Sequence, residues 1–584
     1  MAPAREPPLL DPRRGDAEDD TSSPKQRSLF AIAGSLLAEI SLPKLLFAWV
    51  FSIVLPASLL GLAPLVATAW LLKLSKSAAQ ATGLGATFVL MIVVAAGWFG
   101  WRPLFRVAER NFWSLNALAI QPGYAFCREA LRYLADRKLG ADANAATRAR
   151  VRAISSAVAA ILLSIVAIAI AIAIWPASRW VGTGADLLDV RALVLPTLAN
   201  AVVILCVYLS ATALIWGFGD ALMDQPITLD AFDAASTGPR WRVAHLSDIH
   251  LVGERYGFRI ESGRSGPRGN DRFARILNRI EAIHAAHPLD MILITGDMTD
   301  AGIATEWAEF LDAVDMHPAI AERMLILPGN HDLNIVDRLN PARLDLPFSP
   351  KKRLRQMRTL SALAAIQGHR VRVVDRNSGT LDRTLAEAIL PHRRRIGEFA
   401  DTGGLRLAIG LGQLWDDQFP LIVPPAEADG LGVAILNSNA ETHFSFTNAL
   451  GMVSVEQTRQ LLAAVERFPQ AHWIIALHHH LVEYPMSVAK LSERIGTALI
   501  NGSWFIRKIK SVAPRAIVMH GHRHIDWIGS CGELKIVSAP SPVMGGTNAA
   551  STYFHIHTLA VSANGQLCLL APERVILSGE NVAD

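Results

Sequence analysis

The chain has 584 residues, more than the roughly 100–200 that one compact domain usually holds, so at least two units are expected. It is 51% hydrophobic and 18% charged with a mean hydropathy of +0.28, too apolar for a purely soluble enzyme and too charged for a purely membranous one. The net charge of +4 leaves no bulk footprint for nucleic acid, and four scattered cysteines (Cys127, Cys206, Cys531, Cys568) exclude a disulfide scaffold and a zinc ribbon.

Residues 1–28 hold five prolines and mixed charge, which predicts a disordered tail and makes a poor secretory signal. The run Leu29–Leu37 is too short to span a bilayer and reads as an interfacial helix. Residues 29–219 then contain four uncharged windows, at 45–72, 77–101, 153–178 and 192–219. Each exceeds the about 20 apolar residues that cross a bilayer core, so an all-α transmembrane region of four helices is expected. Trp49, Trp70, Trp98, Trp101, Trp175, Trp180 and Trp216 fall near window ends, where an aromatic belt lies.

Between the second and third windows, Arg102 to Arg152 carry ten basic residues, against two in each other connection. The positive-inside rule places that loop in the cytoplasm, with both termini and the C-terminal half beside it. The expected location is therefore a bacterial-type inner membrane, multi-pass, with free cysteines agreeing. Because no charge interrupts a window, the spans read as an anchor or an apolar groove and not as a transporter.

All 18 histidines lie between His245 and His557, so the two halves differ chemically. Residues 220–240, with four aspartates, read as a linker into a domain at 241–575. There, short β-type runs alternate with amphipathic helices at Asp271–Ala286, Thr305–Met316 and Ser454–Phe468, the pattern of an α/β fold. Five of the runs end in polar clusters. RVAHL leads to Asp248 and His250, MILIT to Asp297, and MLILP to Asn330, His331 and Asp332. WIIAL leads to His478, His479 and His480, and AIVM to His520, His522, Arg523 and His524. Ligand sites collect at the carboxyl ends of strands in such sheets, so the five clusters are expected to converge.

The series Asp-x-His, Gly-Asp, Gly-Asn-His-Asp, His, Gly-His-x-His resembles the calcineurin-like metallophosphoesterase superfamily over Arg242 to Leu570. The stretches AILNSNAE and GMVSVEQTRQLLAAV look most like its bacterial cyclic-AMP phosphodiesterase branch. The resemblance implies an α/β/β/α sandwich and a two-metal phosphoesterase. Two divalent ions clamp the attacking and leaving oxygens at phosphorus, and a hydroxide between them needs no serine or cysteine nucleophile. By similarity Asp297 bridges the ions, Asp248, His250 and His524 complete one site, and Asn330, His478 and His522 the other. A donor set of nitrogen and oxygen without thiolate suits Mn, Fe or Zn. His331 is then the catalytic residue, stabilising phosphoryl oxygens or protonating the leaving alkoxide.

His479 remains an alternative to His478 as ligand. Asp300 and Asp332 read as supporting or turn residues, His245 and His520 as packing beside the site, and Arg523 as a phosphate contact or a solvated cation. Residues 335–430 read as a cap insertion. Its runs Lys351–Arg358 and Pro391–Arg395 are either solvated faces or a basic surface toward anionic headgroups. The expected substrate is a phosphorylated small molecule or lipid: a cyclic nucleotide, or a lipid-linked or nucleotide-sugar pyrophosphate. No nucleic-acid partner is expected. The rival from another class is a membrane scaffold or nucleotide sensor without turnover.

Overall fold

The computed structural model describes residues 8–16, 50, 54–80, 91, 121–139, 145–233, 238–253, 266–334, 349–376, 378–440, 449–485, 499–544 and 552–577. Two compact units emerge, one of residues 41–223 with 487–495, the other of residues 1–40, 224–486 and 496–584.

The first unit is helical: α1 (Leu55–Gln80), α2 (Gln121–Lys138), α3 (Ala145–Ser178) and α4 (Val190–Ala221). Among the described residues two helices, not four, are long and apolar enough to cross a membrane: Ala146–Ser178 and Val190–Ala221. They cover the expected windows 153–178 and 192–219. The window 45–72 overlaps α1, whose apolar stretch is shorter, Ala57–Lys73. Most of window 77–101, and the run at 29–37, fall outside the described residues.

Small residues fill the α3–α4 seam. Ala160, Ala167, Ala171, Ala199, Cys206 and Ala213 are buried, while Ile165, Ile172, Leu195 and Ile215 face outward. The Ser164 and Ser210 hydroxyls meet across it at 2.6 Å. At one end, Asp220 accepts hydrogen bonds from the Tyr124 hydroxyl at 2.9 Å and from Arg128 at 2.8 Å. Glu129 accepts from Arg128 at 3.0 Å and from Arg132 at 2.8 Å. Some of the positive charge assigned to a loop is therefore paired inside the helical unit.

The second unit holds two mixed sheets. Its strands are β1 (Ile227–Thr228), β2 (Arg240–Leu246), β3 (Met291–Ile294), β4 (Met324–Ile326), β5 (Arg372–Val373), β6 (Arg383–Thr384), β7 (Leu421–Val423), β8 (Leu431–Ile435), β9 (His472–Ala476), β10 (Ala516–His520), β11 (Trp527–Cys531), β12 (Leu534–Ser538), β13 (Thr552–Val561), β14 (Leu567–Leu569) and β15 (Glu573–Leu577). The larger sheet runs β1-β11-β12-β10-β9-β8-β7-β5-β6. The smaller runs β14-β13-β2-β3-β4, with β15 on β13. In the smaller sheet β2, β3 and β4 are parallel, as are β8, β9, β10 and β12 in the larger. Parallel strands are buried on both faces, which explains their continuous apolar runs. Val243, Ile292, Ile474 and Ile517 from the two sheets share one core.

Helices α5 (Gly266–Ala286), α6 (Ala304–Asp315), α7 (Asn330–Leu333), α8 (Pro350–Gln367) and α9 (Val455–Glu466) connect the strands. The first of these is amphipathic as expected, burying Phe273, Ile276, Leu277, Ile280 and Ile283. Helix α9 starts on Ser454, whose side chain accepts the Gln457 amide as an N-cap.

Three features bear on the expected boundaries. Within the expected disordered tail, Pro8–Asp16 is docked, with the Leu10 amide donating to Ser361 Oγ at 2.8 Å and a short 3-10 turn at Pro12–Arg14. Within the linker, Ile227 and Thr228 pair antiparallel with Ser530 and Gly529 and close the edge of the larger sheet. The stretch 335–430 is not a separate cap over its described part. It supplies β5, β6 and β7 to that sheet, and α8 packs into the core through Leu354, Met357, Leu360 and Leu363. Of the run Lys351–Arg358, Lys352, Arg355 and Arg358 are buried, so that run is not a basic surface; Arg393, Arg394 and Arg395 are exposed.

Candidate metal centre

The five expected strands end as predicted, and their loops meet. Asp248 and His250 follow β2, Asp297 follows β3, and Asn330 and His331 follow β4. His478 follows β9, and His522 and His524 follow β10, so loops from both the smaller and the larger sheet meet at the centre. Asp248, His250, Asp297, His522 and His524 all have positive φ, between 48° and 76°. Left-handed backbone is costly for residues other than glycine and clusters at functional sites, where surrounding structure holds it. Two glycines make the approach possible. A Cβ on Gly296 (φ 97°) would collide with the His478 ring, and one on Gly329 with the Asp297 carboxylate.

On one side, His524 Nε2 lies 3.2 Å from Asp248 Oδ1 and 3.3 Å from His250 Nε2. His250 Nε2 is 3.7 Å from Asp297 Oδ2. On the other, Asn330 Oδ1 lies 3.0 Å from both His478 Nε2 and His522 Nδ1, which are 3.2 Å apart. His478 Nε2 is 3.3 Å from the same Asp297 Oδ2. Asp297 Oδ2 therefore faces both donor sets. Adjacent ligands of an ion bound at about 2.0–2.2 Å stand about 3 Å apart, so both donor sets fit divalent metal. Ring nitrogens facing each other at 3.2 and 3.3 Å leave little room for a proton on each, which also suits ligation.

The two histidines have different partners. His478 Nδ1 donates to the Thr295 carbonyl at 2.8 Å, which aims Nε2 at Asp297 and Asn330. His479 instead turns its Nδ1 to Ser438 Oγ at 2.9 Å. The same hydroxyl accepts the backbone amides of His478 at 3.2 Å and His479 at 3.1 Å. Ser438 was not singled out from the sequence, although its place just beyond the buried strand β8 is where a supporting group belongs. Thr295 was missed because it acts through its carbonyl, which carries no side-chain signal.

His331 stands at the edge of the donor sets. Its Nδ1 donates to the Asp300 carbonyl at 2.7 Å, and its ring meets His250 edge-on with centroids 4.6 Å apart. Asp332 is a clamp, not a ligand. Its carboxylate accepts the amides of Asp297, Thr299 and Gly329 at 2.9–3.0 Å and the Thr299 hydroxyl at 2.7 Å. Asp300 Oδ1 lies 3.5 Å from His250 Nδ1. His245 and His520 are buried beside the centre as expected. Arg523 is neither solvated nor turned to an open site: it pairs with Glu483 at 3.1 Å and lies 5.5 Å from the Tyr484 ring centre.

The charges are tightly interdependent. Burial opposes ionisation of Asp248, but His524 and then His478 hold its carboxyl down at about 2. Burial likewise opposes charge on His478, yet the Asp297 carboxylate, with Asp248 behind it, carries it up to about 9. Burial and the neighbouring imidazoles push His479 and His522 well below the ordinary histidine value.

Residues 242–526 match the family model described as calcineurin-like phosphoesterase. A probable cyclic nucleotide phosphodiesterase of Coxiella burnetii is 30% identical over 111 residues, 19% of this chain and 39% of that protein. A dimetal phosphatase from Danio rerio aligns at 10% identity over 58% of this chain and 99% of its own, with a TM-score of 0.32. A putative 5'-nucleotidase from Staphylococcus aureus aligns at 14% identity over 59% and 56%, with a TM-score of 0.30. The two structural likenesses are too low to carry an argument about activity. The family match, over just under half of the chain, and the donor sets together support a metal-dependent phosphoesterase domain similar to the calcineurin-like family at residues 242–526.

Proposed function

We propose that the protein is a membrane-anchored phosphodiesterase that hydrolyses cyclic nucleotides at a dinuclear metal centre. The observation that carries this is the pair of donor sets sharing Asp297 Oδ2, with His331 at their edge. When bound, two divalent ions of the Mn, Fe or Zn type supply positive charge against the phosphoryl oxygens and a strong nucleophile at neutral pH. The protein does the rest. The Asp300 carbonyl fixes the His331 ring through Nδ1 at the edge of the donor sets. As an oxygen from water bonds to phosphorus, the P–O bond to the ribose oxygen breaks, and His331 donates the proton that this alkoxide takes up.

The relative in Coxiella burnetii supports the cyclic-nucleotide choice. A lipid-linked pyrophosphate drew support from a basic cap surface, and the burial of Lys352, Arg355 and Arg358 removes part of that argument. Membrane anchoring rests on α3 and α4, which pack small residues inward and point isoleucine and leucine outward, the reverse of a soluble helix pair. A cytoplasmic catalytic domain follows from loop charge alone.

The test is phosphate-ester hydrolysis by the purified full chain in lipid with added Mn²⁺, comparing cyclic nucleotides, lipid-linked pyrophosphates and bis-p-nitrophenyl phosphate. Cyclic-nucleotide turnover that disappears in Asp297→Asn is expected. Preference for the pyrophosphates would replace the substrate assignment. Nucleotide binding with no turnover of any of the three would make the protein a sensor.

A further inference from the structure

The segment Pro8–Asp16 lies outside the family match at 242–526, yet it is fastened to the catalytic unit. Ser361 of α8 exchanges two hydrogen bonds with the Leu10 backbone, at 2.8 and 3.3 Å. Arg13 reaches Asp312 at 2.8 Å and Asp315 at 3.2 Å on α6. The last contact is of another kind. The Asp16 carboxylate, 6% exposed, takes one edge of the Arg358 guanidinium, 3% exposed, with Nε donating at 2.6 Å to one oxygen and Nη2 to the other. A bidentate pair of this sort is directional as well as strong.

Arg358 passes that contact toward the metal centre, for its Nη1 donates to the Gly302 carbonyl at 3.0 Å. Gly302 has φ 67° and presses on the carbonyls of His331 and Asp332, where a Cβ would collide. Two residues earlier, Asp300 receives His331 Nδ1 on its carbonyl. One continuous path therefore joins Asp16, Arg358, the loop Asp300–Gly302 and His331. Neither Asp16 nor Arg358 belongs to either donor set.

We propose that Asp16 and Arg358 are positioning residues for His331, so that the amino-terminal segment, which continues in sequence into the helical unit, sets how well the domain turns over. This rests on the phosphodiesterase reading above. A displacement of about 1 Å at a reacting group can cost on the order of 100-fold, so partial slackening of this loop is expected to cost about tenfold.

The experiment uses the full chain in lipid, loaded with Mn²⁺, as wild type, Asp16→Asn and Asp16→Glu. A double variant, Asp16→Leu with Arg358→Met, avoids stranding one buried charge. Aryl phosphodiesters with good and poor leaving groups are the probes. Metal content and amide exchange over residues 299–303 are measured alongside. Asp16→Asn and the double variant should lose about tenfold in kcat. KM and metal content should hold, the loss should be larger for the poor leaving group, and exchange at 299–303 should quicken. Asp16→Glu should recover most of the rate. Wild-type kcat and exchange in both Asp16→Asn and the double variant would overturn the proposal, as would a rate loss explained by lost metal. If the wild type hydrolyses no diester, the phosphodiesterase reading fails. The exchange measurement then still decides whether the latch to Gly302 exists.

Discussion

The backbone amide of His331 donates to Asp297 Oδ1 at 2.8 Å, while Asp297 Oδ2 faces both sets of metal donors. The shared carboxylate is thus oriented by the residue assigned to the phosphoryl group. Replacing Asp297 with Asn should remove the shared charge, lower metal content at both positions and reduce turnover by at least about a thousandfold. Metal analysis of the purified variant beside a rate assay checks this. Full metal content with full activity would defeat the assignment.

Asn330 and His331 are adjacent in sequence but are expected to fail differently. Asn330→Ala should raise the Mn²⁺ concentration needed for activity. His331→Asn should keep its metal and lose about 100- to 1,000-fold in kcat, beyond rescue by excess Mn²⁺. A loss that shrinks for p-nitrophenolate identifies a proton donor, and an equal loss for all leaving groups identifies charge stabilisation. Metal loss in His331→Asn would make His331 a ligand.

Ser438→Ala should leave two backbone amides without their acceptor and His479 Nδ1 without its hydroxyl partner. Supporting contacts of this type are worth about 10- to 100-fold in metal affinity. The expected result is weaker metal binding with near-normal kcat at saturating metal, read by titration.

Metal loading should depend on pH in a defined direction. With the Asp297 carboxylate holding His478 up at about 9, the metal-free imidazole is protonated at neutral pH and must lose that proton to ligate. Apparent affinity should therefore rise with pH until about 9 and level off. Proton release on adding Mn²⁺ to chelator-treated protein, followed in weak buffer, is the measurement. His478→Ala should reduce the release.

Topology is tested separately. A reporter fused after Val582 should read as cytoplasmic and one inserted near Ala185 as external. A C-terminal fusion that reads as external would reverse the orientation and move the substrate search with it.

The meeting of the candidate donors was legible because each strand is a continuous apolar run that stops at a polar cluster, as MILIT does before Asp297. Such local patterns survive in one dimension. The partners of those residues are different: Thr295 acts through a carbonyl, and Ser438 lies 40 residues from His478 in sequence. Arg355 and Arg358 looked solvated because composition carries no record of a buried counter-ion such as Asp16. The short edge strand Ile227–Thr228 has too few residues for any periodicity and is defined only by Ser530 and Gly529 opposite it.

Each donor set draws from both sheets: His524 joins Asp248, His250 and Asp297, while His478 and His522 join Asp297 and Asn330. The centre consequently acts as a rivet across the seam where the two sheets meet. Chelation should do more than stop turnover. It should allow the loops on either side to spread, so that calorimetry records a lower and broader unfolding transition while the helical unit's spectrum is unchanged. Heat resistance and metal supply are then one property of this domain, and a cell short of metal would hold a softer protein as well as an idle one.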